Sequence, residues 1–88
     1  MLPTPKMSEG VWEPQAVCCS KESEIFVVND GDNSVYRYTY IAGKKKWKEK
    51  GRILREENKP AGIVMNENGL ELYVVIPRES KVKIFERR

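Results

Sequence analysis

The chain has 88 residues, with 16 basic and 13 acidic side chains, a net charge of +3 and a hydrophobic fraction of 40%. That length suits one domain with a modest core, and the charge is too balanced to imply nucleic-acid binding by itself. Histidine is absent and cysteine is confined to the adjacent pair Cys18 and Cys19, which excludes Ser-His-Asp and Cys-His catalysis, a zinc site made by cysteines alone, and a spaced disulfide framework.

Residues 1–6 contain no apolar run of signal-peptide length, and no stretch approaches a membrane span, so a reducing, cytoplasmic location is the expectation. There the two cysteines remain ordinary thiols, one of them buried, because neighbours on a strand point to opposite faces.

Residues 15–20 form the first expected strand, and the polar turn after it leads to the Glu-Ile-Phe-Val-Val run of residues 24–28. That run is rich in β-branched and aromatic side chains and reads as a central strand buried on both faces. The Asp- and Asn-rich turn of residues 29–33 precedes a third strand over 34–41 with looser alternation. Its opening, Asp30-Gly31-Asp32-Asn33-Ser34, resembles a calcium loop, but Val35 stands where an EF-hand requires Gly, so a tight turn is the plainer reading.

Ala42 and Gly43 turn the chain into a basic strand over 46–54. Simple alternation places Lys46, Lys48, Lys50 and Arg52 on one face, with Trp47 and Ile53 on the other. Aromatic residues among lysines suit phosphate contact with stacking, yet a charged outer strand that resists edge pairing explains them better, so nucleic acid is disfavoured.

Residues 60–85 then repeat the pattern of residues 14–38 at a spacing of about 47, a period typical of four-stranded β-propeller blades. Pro60 matches Pro14, and the Glu-Leu-Tyr-Val-Val-Ile run of 71–76 matches 24–29 as a second central strand buried on both faces. Strands are also expected over 63–65 and 81–85, with turns at 66–69 and 77–80. No segment has a helical period with caps at both ends, so the fold class is all-β: two antiparallel, four-stranded, propeller-type blades in one domain, 1–88.

Blade 1 covers 14–54, and the incomplete blade 2, over 60–88, lacks its outer strand. The same period places residues 1–8 at that missing position, completing a blade within the chain or in a neighbouring subunit. Pro3 and Pro5, two apart, direct their missing N–H donors to one side, which an outermost strand tolerates, so the segment 1–13 is either that edge strand or a tail.

The Lys-Pro-Ala-Gly-Ile sequence of residues 59–63, the Asn-Gly turn at 68–69 and the Leu-Tyr-Val-Val of 72–75 resemble the blades of YVTN, NHL and lactonase-type propellers. Residues 34–38 are similar to the third strand of a gluconolactonase-type blade. This resemblance spans about residues 14–86 and implies a scaffold, since these families share the pattern across functions. Gluconolactonase-like enzymes hold a divalent metal through an Asp between Pro and Gly at a blade's start. Here the triplets are Pro60-Ala61-Gly62 and Pro14-Gln15-Ala16, so a sugar-lactone hydrolase with a degenerate calcium site is the alternative, and otherwise no cofactor is expected.

In a propeller, the loops joining second to third strands and one blade to the next lie at one end of the ring. That gathers Asp30, Asp32, Asn33, Glu56, Glu57, Asn58, Arg78, Glu79 and Lys81 as ligand-binding candidates for a protein, a peptide or a carbohydrate. Two blades cannot close a ring. The expected function is therefore a binding module completed by further blades or by copies of itself, with a six-bladed homotrimer favoured.

Overall fold

The computed structural model describes residues 2–7, 10–20 and 23–86. Seven strands account for most of them: β1 (Pro14–Cys19), β2 (Glu24–Asn29), β3 (Ser34–Ile41), β4 (Lys46–Arg55), β5 (Gly62–Met65), β6 (Glu71–Ile76) and β7 (Lys81–Glu86). Each lies within a residue of its expected position. They form a four-stranded sheet, β1-β2-β3-β4, and a three-stranded sheet, β5-β6-β7, both antiparallel and built in chain order. Short connections favour this order, because a hairpin can pair each strand with the next as soon as the turn closes.

The two sheets share one hydrogen-bonding register. Glu24 pairs with Thr39 and Asn29 with Ser34, and a shift of 47 positions turns these into Glu71 with Glu86 and Ile76 with Lys81, both observed. Across β1 and β5 the shift is 46 on the first strand: Val17 pairs with Val27 and Ile63 with Val74. The turns coincide as well. Ser20 Oγ donates to Glu24 Oε1 at 3.1 Å, and Asn66 Nδ2 donates to Glu71 Oε1 at 2.9 Å, so each leading glutamate is anchored by the turn before it. Asn33 and Ser80, 47 apart, both adopt left-handed backbone, with φ of 56° and 52°.

Packing between the sheets joins unlike faces. Phe26, Val28 and Val35 from the first sheet form the main core with Ile63, Leu72, Val74 and Ile76 from the second. Leu72, Val74 and Ile76 correspond under the 47-residue shift to Ile25, Val27 and Asn29, which lie on the other face of β2. The arrangement is therefore head to tail: one face of the first sheet meets the counterpart of its own opposite face.

That opposite face is covered by the N-terminal segment. Leu2, Met7 and Trp12 pack over Val27, Tyr36 and Tyr38, Trp12 meets the Tyr36 ring edge-on at 5.4 Å, and the Tyr38 hydroxyl donates to the Pro3 carbonyl oxygen at 2.6 Å. Residues 2–7 form no strand and do not run along β7. The edge-strand expectation within a single chain is corrected accordingly: covering an apolar, aromatic face removes more surface from water than pairing one exposed edge.

Two further expectations need correction. β2 is buried on both faces, but β6 is covered on one only, leaving Val75 exposed and Tyr73 partly so, because the described residues form no layer beyond the second sheet. On β4, register shifts opposite Val35, Tyr36 and Tyr38, with Gly51 at φ 100°, break the alternation. Arg52 thereby pairs with Tyr36 and shares a face with Trp47, which pairs with Tyr40.

Candidate functional site

Asn29, at the end of β2, organises the loop end of the molecule. It is fully buried; its amide nitrogen donates to the Val11 carbonyl oxygen and to Asp32 Oδ1, each at 2.9 Å, and its carbonyl oxygen accepts from the Glu13 backbone N–H. Three partners on one side chain fix the N-terminal segment against the turn of residues 30–33. Gly31 completes the fit by close approach: a Cβ there would lie 1.7 Å from the Val11 carbonyl oxygen. Neither role was legible in the sequence, where Asn29 and Gly31 read as ordinary turn residues.

The loops at 30–33, 56–61 and 77–80 do converge at one end, and the structure brings the sequence-derived candidates together there. The Glu56 backbone N–H donates to the Asn33 carbonyl oxygen at 2.8 Å, and Asn33 Nδ2 donates to the Glu57 carbonyl oxygen at 3.2 Å. Asn58 Nδ2 donates to Glu79 Oε2 at 2.9 Å, linking the loop between β4 and β5 to the turn before β7.

Burial separates the candidates into two groups. Asp32 is buried, accepts from the Tyr36 hydroxyl at 2.6 Å and lies 3.7 Å from the Arg52 guanidinium. Glu56 is also buried and accepts from Lys83 Nζ at 2.5 Å. Both carboxylates hold the scaffold. Glu57, Arg78 and Lys81 are exposed, while Asp30, Asn33, Asn58 and Glu79 are part-buried at the rim.

Lys83, which the sequence reading missed, ties this rim together. It pairs with Glu56 and lies 3.9 Å from Glu79. Its hydrogen bond to Glu56 raises the lysine pKa, and the Asn58 amide, with Lys83 and Lys81 nearby, lowers that of Glu79. Only its place on the covered face of β7 could have signalled this role, because in sequence it reads as one of several lysines.

Between the sheets, at the same end, lies a cleft of about 340 Å³ lined by Asp30, Lys59, Pro60, Ala61, Pro77 and Arg78. Lys59 Nζ sits 3.0 Å from Asp30 Oδ2. Asp30 Oδ1 is buried without a hydrogen-bond partner among the described residues. Ala61, where the resemblance would require a metal-binding aspartate, contributes no side-chain oxygen, and the nearby Asp30 carboxylate is already paired with a lysine. This donor set does not suit a hard divalent cation, which needs several oxygen ligands.

Away from the loop end, Cys18 is half-buried beside the main core and Cys19 is exposed; both are free thiols. Burial first, then the adjacent Cys19, pushes Cys18 up to about 11. No protein-family model, curated protein or solved structure matches this chain. No helix among the described residues is long and apolar enough to cross a membrane.

Proposed function

We propose that this chain is a binding module made of two propeller-type blades, in which a ring is completed by self-assembly or by additional blades. The observation that carries this reading is the shared register combined with head-to-tail packing of the two sheets. A head-to-tail contact between equivalent units leaves one end face on each, here an open face on the second sheet and one beneath the N-terminal segment on the first, and closes only when a ring forms. For the free chain a trimer is favoured, giving six blades and removing both end faces at once.

The ligand surface in this proposal is the loop end. Lys59 and Arg78 flank the cleft, and Pro60, Ala61 and Pro77 provide apolar walls. With Lys59 paired to Asp30, Arg78 is the cation left to a ligand, and a cleft of net positive lining over an apolar floor suits an acidic peptide segment of a partner protein better than an uncharged sugar. Size-exclusion chromatography with light scattering tests the module: a discrete mass of three chains is expected, and a single-chain mass at every concentration contradicts self-assembly. For the surface, a fluorescent poly-glutamate peptide should bind the full chain and lose affinity with Arg78→Ala. Binding unchanged by that substitution contradicts the assignment.

A further inference from the structure

Strand alternation leaves one face of the second sheet open. Val64 on β5, Val75 on β6, and Val82 and Ile84 on β7 are between 37% and 58% exposed, with Tyr73 partly exposed among them. Tyr73 pairs with both Val64 and Ile84, and Val75 with Val82, so all five share one continuous surface. A contiguous apolar face of this kind is characteristic of an interaction site.

The 47-residue shift identifies what fits it. Tyr73, Val75 and Val82 correspond to Phe26, Val28 and Val35, and Val64 corresponds to Cys18 under the 46-residue shift. Those are the first-sheet residues that already pack against Leu72, Val74 and Ile76. The surface complementary to the open face is therefore one built like the Leu72 face, and this chain has a second such surface, carrying Val17, Ile25, Val27, Tyr36 and Tyr38. Val17 there is 60% exposed, while Val27, Tyr36 and Tyr38 lie beneath Leu2, Met7 and Trp12.

We infer that the open face of the second sheet docks the first sheet of another copy of this chain, and that the N-terminal segment is a strap which occupies the docking surface until it is displaced. The inference rests on the self-assembly part of the proposed function and specifies its two contact faces and its control. The strap and the incoming sheet bury the same Tyr36 and Tyr38 surface, so they compete. Assembly strength then reflects the difference between the two burials, with the Asn29 hydrogen bonds to Val11 and Glu13 adding to the hold of the strap.

Sedimentation velocity over a wide concentration range, on full-length chains, tests this with two sets of substitutions. Val82→Lys with Ile84→Lys places charges on the open face without touching the core, and should weaken association by at least about tenfold. Val64→Lys, on another strand of the same face, should act in the same direction if the doubly substituted edge strand does not fold. Leu2→Lys with Met7→Lys loosens the strap and should strengthen association; adding Val82→Lys and Ile84→Lys to that chain should reverse the gain.

Association unaffected by the open-face substitutions overturns the inference while leaving self-assembly standing. Weakening by the strap substitutions overturns the strap's role, since the segment would then belong to the contact. Association of the loosened chain that persists despite the open-face lysines identifies non-specific aggregation and overturns the docking face. Absence of association in the wild-type and loosened chains alike removes both the inference and the self-assembly reading.

Discussion

Phe26 and Tyr73 occupy the same place in two sheets of identical register, yet Phe26 is sealed between the sheets and Tyr73 lies on an open face. The difference is one of neighbours: a second sheet lies over Phe26, and among the described residues none forms a layer over Tyr73. Local sequence sets the strand, while the layers around it decide burial.

The contact between Gly31 and the Val11 carbonyl oxygen makes Gly31→Ala an informative substitution. A methyl group cannot fit 1.7 Å from a backbone oxygen, so either the turn or the N-terminal segment must shift. We expect a loss of about 1 to 3 kcal/mol in urea unfolding. Trp12 fluorescence should also move to longer wavelength as its packing on Tyr36 loosens. An unchanged unfolding midpoint would show that the approach is not held in solution.

Asn29→Ala should cost more than a typical surface change, about 2 to 4 kcal/mol, because it leaves the Glu13 N–H, the Val11 carbonyl and one Asp32 oxygen without their partner at once. Chemical denaturation measures the loss. A double-mutant cycle with Gly31→Ala should be non-additive, since both residues secure the same segment.

Tyr36 and Tyr38 give the alkaline behaviour. Burial leads the rise in both, from 10.0 to about 12, with the hydrogen bond to Asp32 adding to it for Tyr36 and the Glu49 charge for Tyr38. A folded value above the unfolded one means that the contribution is fully present below pH 10.0 and is lost as pH rises through about 12. Near-ultraviolet titration should show tyrosinate from this pair forming well above pH 10.0 and accompanied by unfolding. Ionisation of Tyr36 and Tyr38 near 10.0, followed by comparing the wild type with Tyr36→Phe and Tyr38→Phe, would contradict the burial of this pair.

The adjacent cysteines should react unequally. Cys19 is exposed, whereas Cys18 is half-buried and raised to about 11, so a maleimide should modify Cys19 first in the folded chain and both residues in denaturant. Peptide mapping of the singly labelled product distinguishes them. Labelling at equal rates in the native state would count against the orientation of β1.

Much of this fold is legible in the sequence because its signals are local. The Glu-led runs at 24–28 and 71–76 declare strands through their own β-branched and aromatic residues, and the Asn-Gly turn at 68–69 declares a hairpin. The gathering of Asn33, Glu57, Asn58 and Glu79 at one end follows from the same local reading, because hairpins in chain order leave their alternate turns together. What escaped depends on distance in sequence. The Pro3 carbonyl meets Tyr38 across 35 positions, and no pattern in residues 1–7 reveals that contact. Arg52 changes face through register shifts set by pairing with β3. Asp32 and Glu56 look like ligand-ready carboxylates until Tyr36 and Lys83 are found on them.

Small-angle X-ray scattering on the full chain tests the central claim, head-to-tail blade packing that closes a ring. A single chain has a Cα radius of gyration of 12.8 Å and extents of 42 × 32 × 19 Å. The account predicts that, with rising concentration, the curve converges on a larger, disc-shaped particle of fixed size whose distance distribution shows a central channel. A radius that stays at the single-chain value, or that grows without limit as in an open filament, would contradict it.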